Sequence, residues 1–295
     1  MPKGSNSTID QHYIPQMYLK GFSESVQKFK EEKFYIWQYN IKKMQQIKVP
    51  VPIKSVCYEK NLYELRNNAG EFVARNLIEN TFGRLEYETS KVIESIKEKV
   101  GKTSCYDCEA VLSEYDKSIL IIFMNSLIFR DPFTIENGMK ILQKNNLNLD
   151  SLDARNFTLM NLLPIGENAK WNENTVIRSA INRYNDMAFQ IGVSDGDDII
   201  TCDRPIIEWP SMEGNSDNRP RAVAFPLTSR MVLYLYPIKN VSVRGKNCIF
   251  HMDEQRIRNM QHNIVVYSRD YIFSKTKLSE EQVGLIENIK SKVGE

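Results

Sequence analysis

The chain has 295 residues, 42% of them hydrophobic and 26% charged, with 39 Lys plus Arg against 37 Asp plus Glu. These proportions exclude a disordered chain, a collagen and a coiled-coil rod, and a net charge of +2 gives no whole-molecule pull toward nucleic acid. No apolar run reaches the roughly 18 residues of a membrane span, the opening MPKGSNSTIDQHY lacks a signal-peptide core, and an odd count of five cysteines points to a reducing cytoplasm.

After a polar start, Tyr13 to Phe22 interleaves aromatic and polar residues. Phe34–Asn40 (FYIWQYN), a turn near Asn40–Lys43 and the segment IKVPVPI predict a β-hairpin whose second strand ends at Pro50 and Pro52. Tyr58–Leu65 predicts a short strand, followed by a turn at Asn67, Asn68 and Gly70. Apolar residues then recur at helical spacing, predicting a helix over Phe72–Val100 stopped by Gly101. A second helix is predicted over Cys108–Arg130, ended by Pro132, with shorter ones over Thr134–Lys144, Leu152–Leu162 and Asn172–Asp186. AFQIGV and IITC flank the acidic turn Asp195–Asp198 and predict a second hairpin. A Pro/Gly/Asn/Asp-rich loop at Trp209–Pro220 precedes strands at Val223–Leu227 and Met231–Tyr236. Asp253–Val266 reads as a helix, YIFS as a last strand, and Leu278–Val293 as a closing helix capped by Ser279.

This order predicts an α+β fold: an N-terminal β-hairpin, a central helical bundle, and C-terminal antiparallel strands with a closing helix. No linker divides the chain, so residues 1–295 read as one domain with sub-regions 11–70, 71–187 and 188–295.

Gln11 to Phe22 reads QHYIPQMYLKGF, which resembles the opening H-Y-[VI]-P-x-x-Y-L-x-x-F of a widespread bacterial family catalogued as a domain of unknown function. FYIWQY, NLYE, Glu79 and Glu86 in IENTFGRLE, FRDP, TCDRP, FPLTSR, and a helix with Asn259 and Asn263 follow in that family's order. TCDRP departs from the family's commoner T-S-D-x-P by Cys202 for Ser. The resemblance covers most of the chain and implies a setting near bacterial defence genes, but no reaction.

The candidate catalytic residues are His12, Glu79, Glu86 and Asp203, with Gln11 and Arg130 as candidate substrate-binding residues. His12 sits in an extended segment before Ile14–Pro15, suited to a general acid–base role or to pinning that segment down. Glu79 and Glu86 share a helix face with Cα atoms about 10 Å apart. Gly83 lies one turn from each, so a partner can approach between them, while a solvated flank paired with Arg75 or Arg84 is the plain alternative. Arg130 suits a phosphate or carboxylate clamp, or equally the favoured cation at a helix C-terminus. Asp203 closes a predicted strand before Arg204–Pro205, placed to hold a metal or to cap its own turn.

Two readings follow. In the first, these residues converge on a wet cleft, Glu79 and Asp203 bind Mg²⁺ or Mn²⁺, and the chain is a nuclease-like phosphodiester hydrolase in phage defence or a toxin-like effector. Its partner is then a nucleic acid strand on the basic hairpin of Lys42, Lys43, Lys48 and Lys54 with Tyr35, Trp37 and Tyr39. In the second, the same residues form a structural hydrogen-bond network in a non-catalytic sensor or binding module, with ligand recognition from the loop at Trp209–Pro220. Zinc is disfavoured: Cys105-x-x-Cys108 and Cys248-x-x-His251 have zinc-ligand types but are distant in sequence. The acidic turn lacks calcium-loop spacing, and there is no P-loop, GxGxxG, GxSxG or HExxH.

Overall fold

The computed structural model of the chain describes residues 8–28, 31–102, 111–145, 150–161, 175–184, 186–209 and 221–293. The N-terminal region runs β1 (Asp10–His12), α1 (Gln16–Lys20), β2 (Glu24–Lys28), β3 (Glu31–Asn40), β4 (Gln45–Gln46), β5 (Val51–Pro52), β6 (Tyr58–Lys60), β7 (Leu65–Arg66) and β8 (Phe72–Val73). The predicted hairpin forms, with β4 and β5 both antiparallel to β3. Pro50 lies between the two pieces, where a residue without an N–H cannot extend the ladder. β2 pairs along the opposite edge of β3. Its ESVQK sequence is exposed throughout and has no apolar alternation to announce a strand.

The middle holds α2 (Leu77–Lys102), α3 (Glu114–Phe129), α4 (Pro132–Lys144), α5 (Ser151–Met160) and α6 (Thr175–Tyr184). α2 begins later than its periodicity predicts. Ala74 and Asn76 have φ of 51° and 60°, a left-handed conformation that no α-helix passes through, and Phe72–Val73 pairs with Leu65–Arg66 instead. Gly101 lies within α2, not after it. α3 starts at Glu114 because Ser113 and Asp116 form a capping box; Cys108 lies outside the described residues. Pro132 does more than end α3: Asp131 caps the next helix and Pro132 fills its first position, so α3 and α4 meet at a bend of 70°.

The C-terminal region runs β9 (Met187–Val193), β10 (Thr201–Cys202), β11 (Ile207–Trp209), β12 (Ala222–Thr228), β13 (Met231–Pro237), β14 (Asn247–His251), α7 (Glu254–Tyr267), β15 (Tyr271–Ser274) and α8 (Glu280–Val293). One sheet has the order β11-β12-β13-β9-β14, and β14 runs parallel to β9. The other, β10-β15-β3-β2, joins the N-terminal hairpin to the last strand. The predicted hairpin of AFQIGV with IITC does not form, because β9 pairs with β13 and β14 while Thr201–Cys202 pairs with β15. Its acidic connection is held open: Ser194 Oγ donates to Asp198 at 2.6 Å, and Asp197 accepts from Ser229 Oγ and Lys275 Nζ at 2.6 and 2.8 Å. At α8 the Ser279 cap is completed by Gln282, whose side chain accepts from the Ser279 N–H.

The observed architecture is therefore α+β, with N-terminal strands, central helices, C-terminal strands and a closing helix. α3 is its axis, with Ile119 to Leu127 buried without interruption, as a helix apolar on all sides must be. Phe123 packs on Tyr18 and Phe225, and Tyr18 stacks on Phe225 at 5.3 Å, so α1, α3 and the five-stranded sheet share one aromatic core. Among the described residues no single helix is long and apolar enough to cross a membrane.

Gly192 on β9 sets a tight contact in that sheet. A Cβ there would lie 2.8 Å from Met252 Sδ and 2.9 Å from Phe250 Cζ. Gly192→Ala is expected to lower unfolding stability by about 1–3 kcal/mol, the usual cost of overpacking, measured by urea denaturation; an unchanged midpoint would refute the contact.

Candidate functional site

The opening segment is buried in spite of its polar residues. Ile14, Tyr18, Leu19 and Phe22 enter the core, and Gln11 and His12 go in with them, at 0% and 8% exposure. Buried amides and imidazoles require partners. Gln11 donates to Glu64 Oε1 at 2.8 Å and accepts from the Tyr63 main-chain N–H at 2.6 Å. Glu64 in turn accepts from the main-chain N–H of Asn76, the left-handed residue before α2. His12 Nε2 lies 3.2 Å from the Lys54 carbonyl, an acceptor, so that nitrogen carries the hydrogen. Burial pushes the His12 pKa down and keeps the ring neutral.

Arg130 is the C-cap of α3, where the helix dipole favours a cation, and it follows the buried run directly. It is 1% exposed. Its Nη2 donates to the His12 carbonyl at 2.8 Å and to Glu86 Oε1 at 2.9 Å, and its guanidinium lies 4.4 Å from the Phe82 ring centre. The Arg130 carbonyl accepts from the Tyr63 hydroxyl at 3.1 Å. Glu79 stands on the same helix face as Glu86, as the spacing predicts. Burial raises its pKa from 4.5 to about 7, opposed by Arg130 and assisted by Glu86 and Glu64. Glu79 Oε2, Arg130 Nε and Arg130 Nη1 are buried without hydrogen-bond partners in the protein. Gly83, between the two glutamates, is exposed, and a Cβ there would meet nothing within 4 Å.

Asp203 belongs to a second cluster. It is 1% exposed, and its carboxylate accepts from the main-chain N–H groups of Arg269 (3.0 Å), Asp270 (2.7 Å) and Tyr271 (3.3 Å). Burial raises its pKa while those N–H groups oppose the shift. Beside it, Asp131 forms ion pairs with Arg204 and Arg269 at 3.3 and 3.2 Å and caps α4. The structure thus brings Gln11, His12, Glu79, Glu86 and Arg130 into one cluster and seats Asp203 against the distant turn at residues 269–271, not in its own turn.

Sequence reasoning missed Glu64, Tyr63 and Asn76. The only mark of Glu64 is a lone acid between apolar neighbours in NLYEL. Of the zinc-type residues, Cys105 and Cys108 lie outside the described residues, Cys248 is buried, and His251 lies 3.5 Å from Asp195. Among the described residues no group of three or more His, Cys, Asp or Glu is placed to hold a metal. Of the recognition loop, Trp209 is in β11 and residues 210–220 lie outside the described residues.

Together these features define an α+β protein whose polar N-terminal segment is sealed into its centre by one buried arginine. The chain belongs to the family described as "Protein of unknown function (DUF4238)", whose model matches residues 10–278. No curated protein and no solved structure matches it.

Two outcomes are expected. Arg130→Ala removes one partner of a buried ion pair and should cost about 3–5 kcal/mol of unfolding free energy; denaturation indistinguishable from wild type would refute the role. An acid whose pKa is higher in the folded state than in the unfolded state disfavours folding once ionised. The Glu79 contribution should therefore be absent below pH 4.5 and fully unfavourable above about pH 7. The stability difference between Glu79→Gln and wild type should swing by up to about 3 kcal/mol across that window, and a flat difference would show that Glu79 is not perturbed.

Proposed function

We propose that the protein is a non-catalytic binding module, in which the polar residues singled out from the sequence act as a structural lock. The observation that carries this reading is where their hydrogen bonds go. Gln11, His12, Arg130 and Asp203 are each at most 8% exposed, and each bonds main-chain or side-chain groups from distant segments, Arg130 through Nη2 alone. Reacting groups need access to substrate and lone pairs to use on it, and these residues have little of either.

One observation favours the second reading, a metal-dependent phosphodiester hydrolase. Glu79 has a pKa near 7 and a free oxygen, a general acid–base needs such a pKa, and the helix surface at Gly83 beside it is open. Glu79 would then be the general acid–base, and the exposed Lys42, Lys43, Lys48 and Lys54 would meet a nucleic acid strand.

Single-stranded and duplex DNA and RNA incubated with the full chain in Mg²⁺ or Mn²⁺ separate the two. The module reading expects no cleavage, with His12→Ala and Asp203→Ala losing thermal stability. Metal-dependent cleavage by wild type that disappears in Glu79→Gln, with folding intact, would overturn it.

A further inference from the structure

The strand register of the five-stranded sheet collects aromatic side chains on one face. Trp209, Ala222, Tyr236 and Ala188 form one cross-strand row, and Ile207, Ala224, Tyr234, Gln190 and Cys248 the next. Phe250, two residues beyond Cys248 on β14, shares that face. Ala222, Ala224 and Ala188 alternate with the large rings, so this face is hollow. The result is a cavity of about 440 Å³, within the usual range for small-ligand sites.

The helix over this face is unusual. Arg256, Asn259, Met260 and Asn263 follow one another at helical spacing along α7, and all four line the cavity. A helix covering a sheet normally presents an apolar stripe there; this one presents two amides and a guanidinium. Asn259 Oδ1 accepts from Gln255, and Asn263 Nδ2 donates to the Asn259 carbonyl. That leaves Asn259 Nδ2 and Asn263 Oδ1, a donor and an acceptor one turn apart, without a protein partner among the described residues. The hydroxyls of Tyr234 and Tyr236 are likewise unpartnered there. Tyr234 and Tyr236 are stacked nearly parallel, at 10° and 5.9 Å between centres, and Arg256 lies 4.9 Å from the Phe250 ring centre. Arg256 is paired only loosely with Asp253, at 3.9 Å, and among the described residues the lining contains no carboxylate.

We propose that this cavity binds a nucleoside phosphate. Aromatic faces take a planar base, a donor–acceptor pair reads its edge, and Arg256, whose one ion pair to Asp253 is long, takes the phosphate. A neutral sugar would satisfy the amides and the rings but leave Arg256 without a role. The inference rests on the binding-module reading and supplies its ligand class.

The test is calorimetric titration of the full chain with AMP, GMP, CMP and UMP, and with the corresponding nucleosides. At least one nucleotide is expected to bind. Tyr236→Ala should weaken it by about 10- to 100-fold, the usual effect of losing one stacking ring. Arg256→Gln, a change at an exposed position, should weaken the nucleotide by about tenfold and leave its nucleoside unchanged, as loss of a single charge-assisted contact requires. No binding of any nucleotide at millimolar concentration would overturn the proposal, as would equal affinities in both variants with melting temperatures retained. Neither failure touches the module reading, which falls only to Glu79-dependent cleavage.

Discussion

The fold depends on one charge placed where charges are costly. Arg130 sits at the end of the most apolar helix, and the carbonyl of His12 and the carboxylate of Glu86 meet it there. An isolated guanidinium in that position would carry a desolvation cost of several kcal/mol. Its neutralisation therefore decides whether β1, α2 and α3 assemble in the observed arrangement. The carbonyl contact sets the depth of the N-terminal segment, the carboxylate contact sets the rotation of α2, and the Phe82 ring closes the third side.

The two polar clusters are neighbours along the chain as well as in role. Arg130 and Asp131 are consecutive, and each serves one cluster: the first faces the glutamates of α2, the second the arginines at 204 and 269. The sharp corner between α3 and α4 separates the two charges, so that each meets its opposite. The first cluster carries more carboxylates than cations, and Glu79 absorbs that excess by holding its proton to near neutrality. The second is balanced by main-chain N–H groups at Asp203 and by two guanidiniums at Asp131.

Much of this was legible in the residues. Long apolar periodicity located α2 and α3, the turn residues between FYIWQY and IKVPVPI located the first hairpin, and Ser279 and Asp253 marked helix starts. Residue type, spacing and the family resemblance point to His12, Glu79, Glu86, Arg130 and Asp203 as one group, whereas Asp203 lies in a separate cluster against residues 269–271. What stayed hidden has a common cause, which is dependence on distant partners. β2 has no pattern of its own and exists only because the edge of β3 is available. Asp195–Asp198 looks like a hairpin turn until Ser229 and Lys275 are known to lie across from it. Glu64 looks like a surface acid until Gln11 is brought to it. The aromatic hollow was invisible for the same reason, since its rows arise from strand register, and register is not written in any one strand.

The pairing of β3 with β15 joins residues from the two ends of the sequence, Tyr39 against Ile272. As the chain leaves the ribosome, the FYIWQY ribbon therefore waits for its neighbour until the distant segment Tyr271–Ser274 has been made. During that interval it offers a bare, aromatic-rich strand to any other nascent chain, and long-range closure of this kind is slow. Protein synthesis in the cell thus places a demand on chaperone protection that refolding of the finished chain at low concentration does not.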